Sequence, residues 1–405
     1  MSTTAAVKPP ASAATVMLLG VSFAHLLNDA MQNVVPAAFP IFRTSMQLSF
    51  AQIGWIAFTL NVTASVLQPL IGHYSDRRPM PLLLPLGMLF TLLGMIGLAL
   101  APGLAMLIVA AALVGIGSSV LHPESSRVAH MAAGSGRGLA QSIFQVGGNF
   151  GQTLSPLLVA FLILPRGQSG FLWLTLLAVI GIAVQSYVSR WYGERTRRAE
   201  PQARSAAVSV GSGFSRGCTA WVIGILIVLL FSKFVYLTSM TGYYSFYFME
   251  KYHLPLSHAQ FALFALQLSG MVGTLLGGPL ADKFGRKTII WFSIAGTAPF
   301  SLLLPYAGPI AAVLLCLAIG IILMSGFSVI IVYAQEMLPG RVGMIAGLFF
   351  GLAFGLAGLG SVALGWLIDH TGVSLMIRLC AFLPLLGVSA FLLPKDARLM
   401  GRRPA

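Results

Sequence analysis

The sequence predicts an all-α membrane protein in which twelve transmembrane helices form two six-helix halves. Three observations support this prediction: the composition, the lengths of the apolar segments and an internal repeat. Of the 405 residues, 57% are apolar and 8% are charged, and the mean hydropathy is +0.88. Globular domains contain about 25% charged residues. A chain with this composition belongs in a lipid bilayer.

Twelve apolar segments follow one another along the chain. They cover residues 16–42, 50–72, 81–101, 104–131, 139–164, 170–189, 219–248, 258–281, 287–305, 309–337, 342–368 and 373–394. Most of them exceed the roughly 20 residues that a helix needs to cross about 30 Å of hydrocarbon. They lack the alternating pattern and the ~10-residue length of strands in membrane β-barrels. We number the corresponding helices 1 to 12.

Two charged turns indicate that the chain is duplicated. Gly72-His-Tyr-Ser-Asp76-Arg77 follows helix 2, and a similar stretch follows helix 8 at an offset of 206 residues. The second turn contains Gly278, Asp282, Lys283, Gly285, Arg286 and Lys287. A second set of matches, at an offset of 204, aligns Arg137, Gly147, Phe150 and Gly151 with Arg341, Gly351, Phe354 and Gly355. Two independent motifs therefore indicate the same duplication, with one charged turn in each half.

The long polar stretch from Tyr192 to Gly217 separates helix 6 from helix 7. It is rich in Arg, Ser, Ala and Gly, as flexible linkers are. We therefore predict an N-terminal bundle over residues 1–191, a cytoplasmic linker over 192–217 and a C-terminal bundle over 218–405.

The distribution of Lys and Arg predicts the orientation. An even number of helices places both termini on one side of the membrane. The termini and the loops on that side carry Lys8, Arg77, Arg78, Arg137, Arg190, Arg195, Arg197, Arg198, Arg204, Arg216, Lys283, Arg286, Lys287, Arg341, Lys395, Arg398, Arg402 and Arg403. The opposite loops carry only Arg43, Arg166 and Lys251. Both termini are thus expected in the cytoplasm, and the net charge of +14 reflects membrane topology rather than nucleic-acid binding.

Helix 1 carries a polar stripe at helical spacing: His25, Asn28, Asp29, Gln32 and Pro36. His25 and Asp29 lie one turn apart. In a partly dry site, the protonation of such a pair responds to small changes in its surroundings. We interpret the pair as a proton-coupling site. The alternative is that both side chains only bond to a neighbouring helix.

Helix 4 places Glu124 and Arg127 three residues apart, so the two can pair on one helix face. One interpretation makes Arg127 a site for an anionic substrate and Glu124 its partner or a proton acceptor. The other makes them a structural ion pair near the cytoplasmic end of the helix. Pro123, beside them, frees a backbone carbonyl where a ligand or water could bind.

Further polar residues lie on helices 5 and 7. Helix 5 carries Gln145 and Asn149 in a stripe with Gln141 and Gln152, which could contact substrate or another helix. On helix 7, Lys233 and Tyr236 would suit a phosphonate or carboxylate. Asp29, Glu124, Arg127 and Lys233 each oppose insertion by about 2.5–3.5 kcal/mol. Their formal charges sum to zero, so we expect them to pair with one another.

The charged turns resemble the signature of the major facilitator superfamily, Gly-x-x-x-Asp-[Arg/Lys]-x-Gly-[Arg/Lys]-[Arg/Lys]. The second copy matches every position. The first keeps Gly72, Asp76 and Arg77 and then departs as Arg78-Pro79-Met80-Pro81. The resemblance implies two bundles that rock about a midplane site, with both turns acting as a cytoplasmic gate.

Four stretches resemble the fosmidomycin-resistance group of that superfamily. They are Leu121-His-Pro-Glu-Ser-Ser-Arg127, Gly138-Leu-Ala-Gln-Ser-Ile-Phe-Gln-Val-Gly-Gly-Asn-Phe-Gly151, Tyr333-Ala-Gln-Glu-Met-Leu-Pro-Gly-Arg341 and Cys380-Ala-Phe-Leu-Pro-Leu-Leu-Gly387. The resemblance implies a drug:proton antiporter of the bacterial inner membrane that exports a small anionic phosphonate. A proton symporter that imports an organic anion is the alternative, because both need a carboxylate and a cationic site.

Other classes of protein fit the sequence poorly. No His-Glu-x-x-His motif indicates a metal-dependent enzyme. The one Gly-x-Ser-x-Gly match, Gly213-Phe-Ser-Arg-Gly217, lies in the polar stretch before helix 7 and lacks the preceding strand that a nucleophile elbow requires. Cys218, Cys316 and Cys380 lack the spacing of metal ligands. We therefore expect no cofactor, no metal and no nucleic acid. The expected partners are lipid, protons and a small-molecule substrate, and the expected oligomeric state is a monomer.

Overall fold

The computed structural model describes residues 11–133, 137–198, 216–337 and 342–394, and within these ranges the chain is helical with no β-strand. The all-α prediction is confirmed. In the N-terminal half, helix 1 is Ala11–Ala37, helix 2 is Phe50–Arg77, helix 3 is Leu83–Leu100, helix 4 is Leu104–Ala132, helix 5 is Arg137–Leu158 with a π-helical turn Val159–Ile163, and helix 6 is Phe171–Arg198. A short helix, Phe39–Met46, joins helices 1 and 2.

Several helices of the C-terminal half consist of two pieces. Helix 7 is Arg216–Thr238, a π-helical turn Ser239–Tyr243 and Tyr244–Tyr252; helix 8 is Leu256–Phe284; helix 9 is Arg286–Ala295 and Ala298–Leu303; helix 10 is Pro309–Met324 and Phe327–Met337; helix 11 is Val342–Thr371; helix 12 is Val373–Cys380 followed by a 3-10 segment Leu383–Leu392. The break in helix 10 falls at Ser325 and Gly326. It leaves backbone carbonyls of the first piece without helical partners.

Eleven helical stretches in the described ranges are long and apolar enough to cross a membrane. The longest runs over 58 residues, 140–197, which is far more than one crossing requires. Gly167, with φ 62°, breaks the helical geometry within it and separates helix 5 from helix 6. Counting this stretch as two crossings gives the predicted twelve.

The predicted linker begins too early. Helix 6 continues to Arg198, and helix 7 starts at Arg216, so both ends of the predicted 192–217 segment are helical. Charged side chains from Glu194 onward lower the hydropathy of this region, but Glu and Arg are good helix formers, so the helix extends beyond its apolar part. The rest of the linker, residues 199–215, lies outside the described residues.

The two halves meet along helix pairs 2 and 11, 5 and 8, and 1 and 7. Hydrogen bonds across this interface lie near the end of the molecule that is remote from the termini. Gln260 Nε2 donates to the Ala37 carbonyl at 2.7 Å, and the Asp369 carboxylate accepts from the backbone of Phe50 and Ala51. Close backbone approaches accompany these bonds, because a Cβ on Gly54 would collide with Ser361. This end of the molecule is therefore closed.

Candidate functional site

The side chains of His25 and Asp29 lie together inside the N-terminal half, as their spacing predicts. The His25 Nε2 atom is 3.4 Å from Asp29 Oδ2, and the two residues are 2% and 4% exposed. The contact joins consecutive turns of helix 1, where residues four apart face the same side.

A second histidine, which the sequence analysis did not assign to this site, completes the cluster. His122 of helix 4 approaches Asp29 Oδ1 with its Nε2 atom at 3.7 Å, and the same Nε2 atom is 3.2 Å from His25 Nε2. The residue lies 97 positions after His25, so no local spacing connects them. We refer to His25, Asp29 and His122 as the His–Asp cluster.

Hydrogen bonds hold each member of the cluster in place. Nδ1 of His25 bonds to the Phe144 carbonyl of helix 5, and Nδ1 of His122 bonds to the Ser118 carbonyl one turn earlier, both at 2.8 Å. The Asp29 carboxylate accepts from the Asn28 and Gln152 amides, both at 3.1 Å. Gln152, one of the polar residues predicted on helix 5, therefore bonds helix 5 to helix 1. One ring nitrogen of each histidine and one carboxylate oxygen of Asp29 lie within 4.8 Å of one another.

Glu124 and Arg127 point to different partners. Arg127 donates from Nη1 to the Ser75 carbonyl at 2.7 Å and from Nη2 to the Ser75 hydroxyl at 3.2 Å, which ties helix 4 to helix 2. Glu124 is fully buried, and neither of its carboxylate oxygens has a hydrogen-bond partner among the described residues. The side chain lies near the Tyr192 hydroxyl of helix 6. The ion pair between Glu124 and Arg127 that the sequence suggested is not formed in this structure.

A cavity of about 410 Å³ opens beside Arg127. It lies between helices 2 and 4 and is lined by Gly72, Pro123, Ser126, Arg127 and His130. Ser126 bonds to Gln141 of helix 5 at 3.1 Å, so this wall of the cavity is fixed by a bond between helices.

Three predicted binding residues keep their side-chain amides accessible. Gln145 of helix 5 is exposed, and Gln32 of helix 1 and Asn149 of helix 5 are partly exposed. Within the described part of the chain, their amides form no side-chain hydrogen bond. They remain available to a ligand, unlike Gln152 and Gln141.

Lys233 lies in the C-terminal half, away from the His–Asp cluster. It is fully buried, and its Nζ atom donates to the Leu323 carbonyl at 2.5 Å, next to the break in helix 10. Tyr236, one turn later, is also buried, and its hydroxyl has no hydrogen-bond partner among the described residues. The expectation that the four intramembrane charges pair with one another is wrong for this conformation. Arg127 and Lys233 use backbone carbonyls of neighbouring helices instead.

The second charged turn is a compact junction between helices 8 and 9. Gly285, with φ 91°, is the only residue between the two helices, and a side chain would be strained at that angle. Arg286 forms an ion pair with Glu336 of helix 10, and Lys287 donates to the Phe391 carbonyl at 2.7 Å. This turn thus connects helices 8 and 9 to helices 10 and 12 of its own half. Gly278, Asp282 and Lys283 lie on the last two turns of helix 8.

The first charged turn is described only in part. Gly72 lies beside Pro123 of helix 4, since a Cβ on this glycine would be 3.8 Å from the proline Cβ. The side chains of Asp76 and Arg77 lie outside the described residues. Pro79 and Pro81 fall in the loop between Arg77 and Leu83, as expected for a segment that cannot continue the helix.

The chain matches the family described as Major Facilitator Superfamily over residues 21–359. It is 48% identical over 380 residues to the fosmidomycin resistance protein of Escherichia coli K12, covering 94% of this chain and 93% of that protein. It is 44% identical over 394 residues to the uncharacterized MFS-type transporter YfnC of Bacillus subtilis 168, covering 97% and 96% of the two chains.

Solved structures support the same fold. A bacterial homologue of the human lysosomal transporter Spinster, in an inward-facing and occupied conformation, superposes with a TM-score of 0.77 over 99% of this chain and 100% of that chain, at 16% identity. The xylose transporter XylE of E. coli, in a partially occluded inward open conformation, gives 0.72 over 95% and 99% at 15% identity. The predicted resemblance and the twelve-helix fold are thereby confirmed. The chain belongs to the major facilitator superfamily, and it is a multi-pass membrane transporter rather than an enzyme.

Proposed function

We propose that this transporter is a proton-coupled antiporter that exports a small anionic drug, such as fosmidomycin, by alternating access. The observation that carries the proposal is the His–Asp cluster, a titratable group buried within the membrane-spanning part of helices 1 and 4. Ionisable residues at this depth are costly to insert, and in transporters they mark ion and proton pathways. The similarity to a fosmidomycin resistance protein supports drug export.

Asp29 and His25 are the proposed carriers of the coupling proton. His25 and Asp29 are buried, so a change in their protonation is only weakly screened by solvent and acts on the packing of helices 1, 4 and 5. Glu124 is a second candidate, because its carboxylate is fully buried and has no hydrogen-bond partner among the described residues.

For the substrate, we propose a site made by Arg127 together with the accessible amides of Gln32, Gln145 and Asn149. Guanidinium groups bind phosphonates and carboxylates through two parallel hydrogen bonds. The cavity beside Arg127 gives this group access to a small ligand. For Lys233 and Tyr236 we propose a role in substrate binding that requires a different conformation of helix 10. In the present conformation the buried ammonium group is hydrogen-bonded to the Leu323 carbonyl.

We further propose that the closed end of the molecule faces the outside of the bacterial inner membrane and that both termini lie in the cytoplasm. The excess of Lys and Arg on the side of the termini supports this orientation. The charged turns containing Asp76 and Asp282 then lie at the cytoplasmic gate. In the proposed cycle, proton binding from outside favours release of the drug there, and proton release inside resets the bundles. A monomer suffices for this cycle.

The role of Asp29 can be tested with everted membrane vesicles and radiolabelled fosmidomycin. We expect respiration to drive accumulation in wild-type vesicles, and we expect Asp29→Asn to lose the proton-driven part while inserting at normal levels. Glu250→Gln is a matched control, because this carboxylate is exposed at the end of helix 7. Undiminished proton-driven accumulation by Asp29→Asn would rule Asp29 out as the carrier.

The alternative function is proton symport of a small organic anion. The His–Asp cluster supports it as well, because a proton added there adds positive charge to the half that holds Arg127, and positive charge attracts an anion rather than expelling it. Right-side-out vesicles with an imposed inward proton gradient separate the two functions. Accumulation of labelled fosmidomycin would indicate symport, and depletion of preloaded vesicles would indicate antiport.

A further inference from the structure

The two imidazole rings of the His–Asp cluster have a fixed arrangement of hydrogens. Nδ1 of His25 faces the Phe144 carbonyl and Nδ1 of His122 faces the Ser118 carbonyl, each at 2.8 Å. A backbone carbonyl can only accept a hydrogen bond, so each Nδ1 atom carries the hydrogen. The Ser118 hydroxyl also lies near Nδ1 of His122, but at 3.4 Å it is the longer contact. A neutral imidazole has a single N–H group. When both rings are neutral, both Nε2 atoms therefore present a lone pair.

These two Nε2 atoms are 3.2 Å apart, which is a hydrogen-bonding distance. Two lone pairs at this distance repel each other unless a hydrogen lies between them. The nearest other groups make the repulsion worse, since the Asp29 oxygens, 3.4 and 3.7 Å away, are also acceptors. The amides of Asn28 and Gln152 donate to Asp29, and no group in the described part of the chain donates to either Nε2 atom.

Among the residues that the structure describes, no other charged group is an electrostatic partner of the cluster. His25, Asp29 and His122 interact electrostatically with one another. Helix 5 contributes the Phe144 ring, stacked on His25 at 4.1 Å, and Gly148, against which the His25 ring is packed. On helix 4, Glu124 and Arg127 turn toward Tyr192 and Ser75. The hydrogen between the two Nε2 atoms must therefore be held by the cluster itself.

We propose that His25 and His122 share one excess proton between their Nε2 atoms, balanced by the Asp29 carboxylate, so that His122 is the third member of the proton site. The inference rests on the proposed proton coupling and extends it across the interface of helices 1 and 4. In the loaded state, the site holds one positive and one negative charge, and the shared proton joins the two helices.

Release of the proton leaves two neutral imidazoles and a carboxylate. The proton departs from Nε2 to water, and the side chain of His122, 29% exposed, is the member of the cluster that water can reach. The remaining groups facing one another are all acceptors, which weakens the contact between helices 1 and 4. Pro123 follows directly, so the C-terminal part of helix 4, with Arg127, can tilt more easily than a regular helix.

The protonation of the histidine ring nitrogens can be measured independently of transport activity. The experiment is ¹⁵N NMR of protein labelled at histidine, in excess chelator at neutral pH. We expect an Nε2 signal at a position between those of protonated and unprotonated nitrogen, and its loss in both His25→Gln and His122→Gln. The control His258→Gln changes an exposed histidine at the start of helix 8 and should keep the signal. Two ordinary unprotonated Nε2 signals would overturn the inference. So would a signal that moves when the chelator is added, because a metal ion would then hold the pair.

Transport measurements separate this inference from the proposed function. Glutamine at position 122 keeps a donor toward His25 but cannot release a proton, so His122→Gln should lose proton-driven fosmidomycin accumulation while His258→Gln retains it. Wild-type vesicles without proton-driven transport would refute the proposed function, whatever the NMR result. Intact proton-driven transport by His122→Gln would refute the shared proton and leave coupling through Asp29 standing. If His122→Gln fails to fold, His25→Gln and the wild-type spectrum still decide the question.

Discussion

The carboxylate of Asp369, at the end of helix 11, accepts a 2.8 Å hydrogen bond from the backbone nitrogen of Phe50, the first residue of helix 2 in the other half. Its second oxygen accepts from the nitrogen of Ala51 at 2.8 Å. The first backbone N–H groups of a helix have no partner within the helix, and they carry a partial positive charge. The Asp369 carboxylate, from the opposite bundle, accepts hydrogen bonds from these N–H groups and balances their partial positive charge. We call this contact the Asp369 latch.

Removal of the latch should favour opening at this end of the molecule. We expect Asp369→Ala to weaken closure by about 0.3–1 kcal/mol, since the carboxylate is exposed and interacts with a helix N-terminus. Spin labels at the exposed positions Gln47 and His258, in a cysteine-free background, should show a larger share of long distances. His370→Gln is the matched control, because that neighbouring ring bonds only to the Trp366 carbonyl of its own helix. Unchanged distances in Asp369→Ala would show that other contacts keep this end closed.

Arg286 and Glu336 form the partly exposed ion pair that connects the second charged turn to helix 10. Exposed pairs contribute at most about 1 kcal/mol to stability, so Glu336→Gln should hardly change the melting temperature. If the pair belongs to the gate, transport should fall in each of Arg286→Glu and Glu336→Arg and recover in the double variant. Fosmidomycin susceptibility of expressing cells would measure this. Failure of the swapped pair to recover would contradict a gating role for the pair itself.

Much of the fold was predictable because each transmembrane helix corresponds to a continuous segment of apolar residues. Helix 8, for example, was expected at 258–281 and spans Leu256–Phe284. The predicted helix ends were wrong where a helix extends beyond its apolar segment, as at the charged end of helix 6. The breaks in helices 9, 10 and 12 were not predicted either, because one or two Gly, Ser, Thr or Pro residues do not interrupt a segment that is otherwise apolar.

The site was predictable only to the extent that its contacts are local. His25 and Asp29 are one helical turn apart, so their spacing alone indicated the pair. His122 and Asp369 reach their partners through tertiary packing, and a single sequence carries no signal for such contacts. Lys233 bonds to a backbone carbonyl, which any residue could provide, so its partner had no side-chain signature.

Lys233 permits a test that separates a structural from a functional role. Its ammonium group is fully buried, it forms one hydrogen bond, and no carboxylate lies within ion-pairing distance among the described residues. Replacement of buried charges by apolar residues of similar size is often neutral or stabilising by about 1–4 kcal/mol. We therefore expect Lys233→Met to melt at the same or a higher temperature and to lose fosmidomycin export. A marked drop in the melting temperature with normal export would show that the lysine only supports the break in helix 10.

Glycines at repeat-related positions should respond in opposite ways to the same substitution. A Cβ on Gly151 of helix 5 would collide with the Leu26 carbonyl of helix 1, whereas a Cβ on Gly355 of helix 11 would meet no atom within 4 Å. We expect Gly151→Ala to destabilise the protein by about 1–3 kcal/mol, because helices 1 and 5 must separate. Gly355→Ala should be neutral or stabilise by about 0.4–1 kcal/mol, since alanine restricts the unfolded chain and favours the helix. Melting temperatures of the two variants in the same detergent would check this, and equal effects would mean that the two faces are packed alike.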